Sequence, residues 1–139
     1  MELFQVHDDH RLFISPAITD WDVLACHKVD TIIDLEGDID CGVPTLPNQC
    51  LYIYFPIFDE DLPNLNKLHA IGTLGASLVA SGHCVLSHCG MGFNRSALVA
   101  GVILHKLGMS GPDIVRRIQE RRQGALYNEC FAAYLESLG

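Results

Sequence analysis

Short apolar runs and longer stretches of helical spacing alternate along the chain. The short runs are residues 12–14, 31–35, 51–55 and 84–87, and turn-forming or polar residues bound them. Between and after them, apolar residues recur three or four positions apart. Short apolar runs of this kind are typical of buried strands, and the longer spacing is typical of helices. The pattern therefore predicts four strands that alternate with helices.

Five helices follow from the same pattern. The first begins at Thr19, which can serve as the N-cap, and runs to about His27. The second carries an apolar stripe from Leu65 to Val79, and the third spans Ala97–Leu104, which has no polar side chain on any face. Ser110 and Asn128 are the predicted N-caps of the last two helices. The all-apolar third helix is expected to lie in the middle of the molecule.

This order of elements indicates an α/β fold. Strands separated by helical crossovers favour a central, mostly parallel sheet flanked by helices. A chain of 139 residues with 49% hydrophobic and 19% charged residues can bury one core, so we expect a single domain over residues 1–139. Sheets of this class bind ligands at the carboxyl ends of their strands. The segment after the strand at 84–87 is therefore the first place to look for chemistry.

That segment, His88–Ser96, contains what attack by sulfur on a phosphate ester needs. A thiol with an ordinary pKa of about 8.5 is mostly protonated at neutral pH, but a helix N-terminus and a guanidinium nearby favour the thiolate. The glycines at 90 and 92 allow positive φ angles and close approach, and successive backbone N–H groups can then form an anion cradle. Arg95 adds a planar fork of donors for two phosphate oxygens.

The pattern His88-Cys89-x5-Arg95-Ser96 resembles the signature loop of the cysteine-dependent protein tyrosine phosphatase superfamily. Within it, the chain resembles the small dual-specificity branch over nearly its whole length. Three further segments match that branch, Asp34–Gly37, Pro56–Asp59 and Arg122–Asn128, with a departure at Gln123, where relatives often carry proline. The resemblance implies a phosphate-binding loop between a strand and a buried helix, and a mechanism that needs no metal or cofactor.

Each residue of the loop then has an expected role. Cys89 is the nucleophile, and Ser96 helps the sulfur leave when the covalent intermediate is hydrolysed. His88 supports the loop through hydrogen bonds rather than acting as acid or base. The expected phosphate-binding residues are Gly90, Met91, Gly92, Phe93, Asn94 and Arg95.

A general acid is also required, because the leaving group departs as an oxyanion. Phe58-Asp59-Glu60-Asp61 supplies the candidates. Asp59 fits the acid loop of the family best, with Asp61 as the rival two residues further on. We therefore predict that Asp59 is the catalytic acid.

The expected function is hydrolysis of phosphotyrosine, and of phosphoserine and phosphothreonine, because the short chain has no insertion to build a deep slot. The substrate would be a phosphorylated protein or a small phosphomonoester. An RNA 5′-triphosphatase is an alternative, since Gly92–Arg95 resembles the loop of that branch. A non-catalytic, phosphate-binding pseudophosphatase is a further alternative, and it would have to explain why nucleophile, arginine, serine and acid are all present.

Composition narrows the function further. A net charge of −8 disfavours nucleic acid as a general partner. No apolar run is long enough to span a membrane and no secretory signal is evident, so we expect a cytoplasmic monomer with six free thiols. Cys84 is interpreted as a buried strand residue rather than a resolving thiol. The arginines near the end of the fourth helix are interpreted as a solvated face rather than a docking patch; they are Arg116, Arg117, Arg121 and Arg122.

Overall fold

The computed structural model describes all 139 residues and contains five strands and five helices. The strands are β1 (Phe4–Gln5), β2 (Leu12–Ser15), β3 (Thr31–Asp34), β4 (Leu51–Tyr54) and β5 (Val85–His88). The helices are α1 (Trp21–Cys26), α2 (Leu65–Ala80), α3 (Arg95–Lys106), α4 (Gly111–Arg121) and α5 (Glu129–Ser137). None of these helices combines the length and the apolar character that a membrane span requires.

The strands form one sheet in the order β1-β2-β5-β3-β4. β1 is antiparallel to β2, and every other neighbouring pair is parallel. The register aligns His88 at the end of β5 with Ser15 of β2 and with Asp34 of β3. The predicted α/β class with a mostly parallel sheet is confirmed, and the carboxyl ends of the central strands meet at one edge.

Helices cover both faces of the sheet, which is why β2, β3 and β5 are fully buried. The larger apolar cluster contains 24 buried residues and surrounds α3, whose segment from Ser96 to Leu104 is buried throughout, as predicted. α2 packs closely on α3 at Gly72 and Gly75, where a Cβ atom would collide with the side chains of Val102 and Ile103. This close packing fixes α3 directly behind the loop that connects it to β5.

Two details differ from the sequence-based expectations. The N-cap of α1 is Asp20 rather than Thr19, because the Asp20 carboxylate accepts the Asp22 N–H at 3.0 Å. β1 was not predicted, since two residues at a sheet edge are too few to show a periodic pattern. The predicted N-caps Ser110 and Asn128 are confirmed by their side-chain hydrogen bonds to Asp113 and Phe131.

Candidate active site

The loop between β5 and α3 is fixed to the end of β2 by its backbone. Cys89 N–H donates to the Ser15 carbonyl at 3.3 Å, and Ala17 N–H donates to the Gly90 carbonyl at 3.2 Å. Gly92 has a φ of +74°, and a Cβ there would lie 2.6 Å from the nitrogen of Pro16. Glycine is therefore required at position 92 both by backbone conformation and by the close approach of the neighbouring strand end.

Cys89 is 2% exposed and lies at the base of this loop. Its Sγ accepts the Gly92 N–H at 3.3 Å and lies 3.4 Å from Oγ of Ser96, the second residue of α3. Ser87 Oγ in turn donates to the Ser96 carbonyl at 2.9 Å, which helps to fix the first turn of the helix. An amide N–H, a hydroxyl and the N-terminus of a helix therefore surround this one sulfur.

Gly90 does not have the positive φ that the sequence suggested; in the loop only Gly92 does. The reason for glycine at position 90 is space. A Cβ there would overlap the carboxylate of Glu36, which follows β3 and reaches Nη2 of Arg95 at 3.4 Å. The glycine lets an acidic side chain approach the loop.

Arg95 is held from two sides at the start of α3. Its Nη1 donates to the Ile57 carbonyl at 3.4 Å and its Nη2 to Glu36 Oε2 at 3.4 Å. Its Nε is buried and has no hydrogen-bond partner. A buried donor without a partner is costly, so this N–H is available to donate a hydrogen bond to a bound anion.

Asp59 is connected to the loop by two asparagine side chains. Asn94 Nδ2 donates to Asp59 Oδ2 at 2.9 Å, and Asn128 Nδ2 donates to Asp59 Oδ1 at 2.8 Å. Asn94 also accepts the backbone N–H of Asn128 at 2.9 Å, so the two amides are fixed relative to each other. Asp61 is exposed and lines a cavity of about 310 Å³ beside Phe58 and Glu60. The structure thus brings Asp59 to the loop that carries Cys89.

The segment between α4 and α5 forms an outer support for the loop that sequence reasoning missed. Arg122 Nη2 donates to the Met91 carbonyl at 3.3 Å, and its Nε donates to the Gly92 carbonyl at 3.4 Å. The Leu126 N–H donates to the carbonyl of Phe93 at 2.9 Å. In a trans peptide the C=O and N–H point in opposite directions. These bonds therefore turn the N–H groups of residues 92 to 94 toward the interior of the loop.

Arg122 is itself held between two aromatic rings. Its guanidinium carbon lies 4.0 Å from the ring centroid of Phe93 and 4.4 Å from that of Phe4. The sequence-based interpretation of this arginine as part of a solvated helix face is therefore wrong. In the sequence, only the resemblance of Arg122–Asn128 to the dual-specificity branch pointed to this segment, and that resemblance did not indicate what the segment does.

Comparison with solved structures identifies the architecture. Human DUSP28 superposes with a TM-score of 0.80 at 22% identity, covering 98% of this chain and 91% of that one. The chain has the dual-specificity phosphatase fold. A mouse putative dual specificity phosphatase complexed with zinc tungstate gives a TM-score of 0.81 at 22% identity, covering 98% of this chain and 85% of that one. Tk-PTP in the active form gives a TM-score of 0.76 at 20% identity, covering 98% of this chain and 95% of that one.

No protein-family model matches the sequence, and no curated protein matches it significantly. The predicted resemblance is confirmed at the level of the fold.

In this dual-specificity phosphatase fold, His88 lies inside the protein at the end of β5, directly before the loop. It is fully buried, and its Nε2 lies 2.6 Å from Asp40 Oδ2 and 3.6 Å from Asp34 Oδ1. Asp34 also accepts a hydrogen bond from the Tyr52 hydroxyl, and burial raises the pKa of the Asp34 carboxyl above its ordinary value. Asp34, Asp40 and His88 have ligand atoms within 4.8 Å of one another and could hold a metal ion. They already take part in hydrogen bonds, His88 with Asp40 and both aspartates with the Tyr52 hydroxyl.

Cys84 faces the opposite side of the sheet from Cys89. It belongs to the smaller apolar cluster with Phe13, Leu24, Ile32 and Leu86, whereas Cys89 belongs to the larger one. Burial raises the pKa of the Cys84 thiol to about 11. Both features agree with the interpretation of Cys84 as a buried small residue, which lies directly before β5.

Proposed function

We propose that the protein is a phosphoric monoester hydrolase that dephosphorylates phosphotyrosine, and phosphoserine and phosphothreonine, through a cysteinyl-phosphate intermediate. One observation carries this proposal: Cys89 Sγ lies 3.3 Å from the inward-facing N–H of Gly92 and 3.4 Å from Ser96 Oγ, at the base of a loop whose amides are turned inward. The shared fold of phosphatases such as human DUSP28 supports it.

A phosphate dianion would bind in the concave side of the loop. The N–H groups of residues 92 to 94 and the dipole of α3 provide partial positive charge there. The Nε–H of Arg95, which is buried and without a partner, would donate to a phosphate oxygen. These donors also match the equatorial oxygens of an in-line transition state, where negative charge is spread.

In the first step, the Cys89 thiolate attacks phosphorus on the side opposite the ester oxygen. The S–P bond forms as the P–O bond breaks, and the electron pair of that bond remains on the leaving oxygen. Asp59, in its protonated form, transfers its proton to this oxygen, and the alcohol or phenol leaves. The hydrogen bonds from Asn94 and Asn128 support this role for Asp59, since they hold its carboxylate at the loop.

In the second step, water attacks the cysteinyl-phosphate. The Asp59 carboxylate takes a proton from the water, the O–P bond forms, and the S–P bond breaks with its electron pair on sulfur. The Ser96 hydroxyl donates to this sulfur as it becomes a thiolate again, and inorganic phosphate leaves. The cycle ends with Cys89 as a thiolate and Asp59 protonated.

The two alternative functions receive less support. A cavity of about 420 Å³ beside Arg95 is lined by Glu36 and Phe58 and contains no cation except Arg95 itself, which is unfavourable for a triphosphate. A non-catalytic role leaves the arrangement of Cys89, Ser96 and Asp59 without a purpose.

The test is hydrolysis of aryl phosphates with leaving groups of graded pKa. Cys89→Ser should abolish turnover. Asp59→Ala should lower the rate by about 10²–10⁴-fold for basic leaving groups and much less for acidic ones. Asp61→Ala is the matched control and should keep most of the activity. Turnover that survives in Cys89→Ser would refute the mechanism, and a larger leaving-group dependence in Asp61→Ala than in Asp59→Ala would reassign the acid.

A further inference from the structure

Glu36 is fixed at the edge of the phosphate-binding loop. Its backbone N–H donates to Asp34 Oδ1 at 2.9 Å, and its Oε1 accepts the Gly37 N–H at 3.2 Å. Its Oε2 accepts from Arg95 Nη2 at 3.4 Å, and the side chain is 38% exposed. The carboxylate is thus oriented toward the arginine by its own backbone, while part of it remains open to solvent and to a substrate.

The loop is shaped to admit this carboxylate. A Cβ atom at Gly90 would overlap Glu36 Oε2, so a side chain at position 90 would displace the acid from the arginine. The loop interior from Gly90 to Asn94 also has no lysine, arginine or histidine. Glu36 is therefore the charged side chain beside Arg95 at the mouth of the loop, and the space it occupies depends on the sequence of the loop itself.

The charged side chains that line the two cavities beside the loop are mostly acidic, so they carry the same negative sign of charge as Glu36. The charged residues that line the cavity beside the loop are Glu36 and Arg95, and those that line the neighbouring cavity are Glu60 and Asp61. The two cavities share Phe58, which is 82% exposed. A bound phosphate dianion carries twice the charge of Arg95, so Glu36 and the acids beyond Phe58 remain uncompensated when the substrate is bound.

We propose that Glu36 is a specificity-determining residue that makes this site select phosphopeptides with a lysine or arginine next to the phosphorylated residue. A cation at that position would compensate the carboxylates at the mouth. A second phosphate or an acidic residue there would be repelled, because like charges placed together at an interface are unfavourable. This proposal rests on the function proposed above and adds the substrate class to it.

The test uses three phosphotyrosine peptides that differ only in the residues flanking the phosphotyrosine, which are arginine, glutamine or glutamate. The parent protein should prefer them in that order, with about tenfold in kcat/KM between arginine and glutamate, mainly through KM. Glu36→Gln should reduce this ratio to about threefold or less. The preference in the parent should also shrink as ionic strength rises to about 0.5 M, because partly exposed charges are screened.

Glu120→Gln is the matched control, since Glu120 lines a different cavity with Arg116 and Arg117. It should retain the full preference. Inhibition by inorganic tripolyphosphate gives a readout that is independent of peptide turnover, and it should become tighter in Glu36→Gln. Equal kcat/KM for the three peptides in the parent, or an unchanged ratio in Glu36→Gln, would overturn the proposal. The proposal would also be overturned if the γ-phosphate of 5′-triphosphorylated RNA were released faster than the phosphate of the arginine peptide.

The outcomes also separate this proposal from the proposed function. Turnover of the peptides without any flanking preference refutes only the role of Glu36. Absence of turnover on every peptide and on aryl phosphates, or turnover that persists in Cys89→Ser, refutes the phosphatase function itself.

Discussion

Replacing Arg122 should damage catalysis although this side chain lies behind the loop rather than in the reaction. It donates to the carbonyls of Met91 and Gly92, which orients the N–H of Gly92 toward Cys89 Sγ and the N–H of Phe93 in the same direction. In Arg122→Gln the planar, charged fork is lost. The peptide units at 91–92 and 92–93 are then free to turn, and the anion cradle loses part of its preorganisation.

The size of the effect follows from the contacts. Two charge-assisted hydrogen bonds of 3.3 and 3.4 Å are long, so we assign each about 1 kcal/mol, below the usual range for charged groups. Stacking on Phe93 and Phe4 adds about 0.5 kcal/mol per ring at a partly exposed position. The sum is about 3 kcal/mol. We assume that between half and nearly all of this free energy favours the ordered loop over a loosened one. The loss of that share lowers kcat/KM by about 10- to 100-fold.

The assay combines kcat/KM on an aryl phosphate, the inhibition constant of tungstate, and the free energy of unfolding in urea. Arg122→Gln should weaken tungstate inhibition along with turnover. Arg122→Lys should fall between parent and glutamine variant, because lysine keeps the charge but not the fork. Arg121→Gln, at the exposed neighbouring position, is the control for lost charge. An Arg122→Gln protein that is destabilised but keeps kcat/KM and tungstate inhibition within about twofold would refute the reasoning.

Three further predictions concern other parts of the molecule. Asn128→Ser keeps an N-cap oxygen for α5 but removes the amide that holds Asp59, so the rate should fall more for basic than for acidic leaving groups, as graded aryl phosphates would reveal. Peroxide should not produce a Cys84–Cys89 disulfide detectable by mass spectrometry, because the two residues flank β5 and the five residue steps between them span about 16 Å in an extended chain. Burial lowers the pKa of His69 below its ordinary value of 6.5, so as the pH falls below 6.5 the unfolded chain binds a proton there more readily than the folded protein, and stability is lost. In His69→Gln the free energy of unfolding, measured in urea, should therefore change less between about pH 7 and 5.

Much of the fold could be predicted because its signals are local. The burial of α3 follows from a segment without polar side chains, and the strand before the loop follows from one apolar run. The loop itself is contiguous in sequence, so the proximity of Cys89 and Ser96 required no knowledge of long-range packing. Where the local signal was weak, the prediction failed, as for the two-residue strand β1.

The surroundings of the loop could not be predicted in the same way. Glu36 reaches Arg95 from 59 positions away, and Asn128 reaches Asp59 from 69 positions away. These contacts depend on how β3, β4 and α5 are placed around the sheet, and no periodicity in the sequence specifies that. For Gly90 the expected close approach is confirmed and the expected positive φ is wrong, and the side chain that approaches, Glu36, could not be named from the sequence.

The loop's conformation is imposed largely from outside. Carbonyls of three consecutive loop residues, Met91 to Phe93, accept hydrogen bonds from the segment Arg122–Leu126, and the Asn94 side chain accepts from Asn128. Gly124 has a φ of +88°, and its Cβ position would lie 3.3 Å from the Phe93 ring, so this segment is itself shaped to approach the loop. Because that support is the connection between α4 and α5, substitutions that shift these helices should weaken anion binding without touching any residue of the loop.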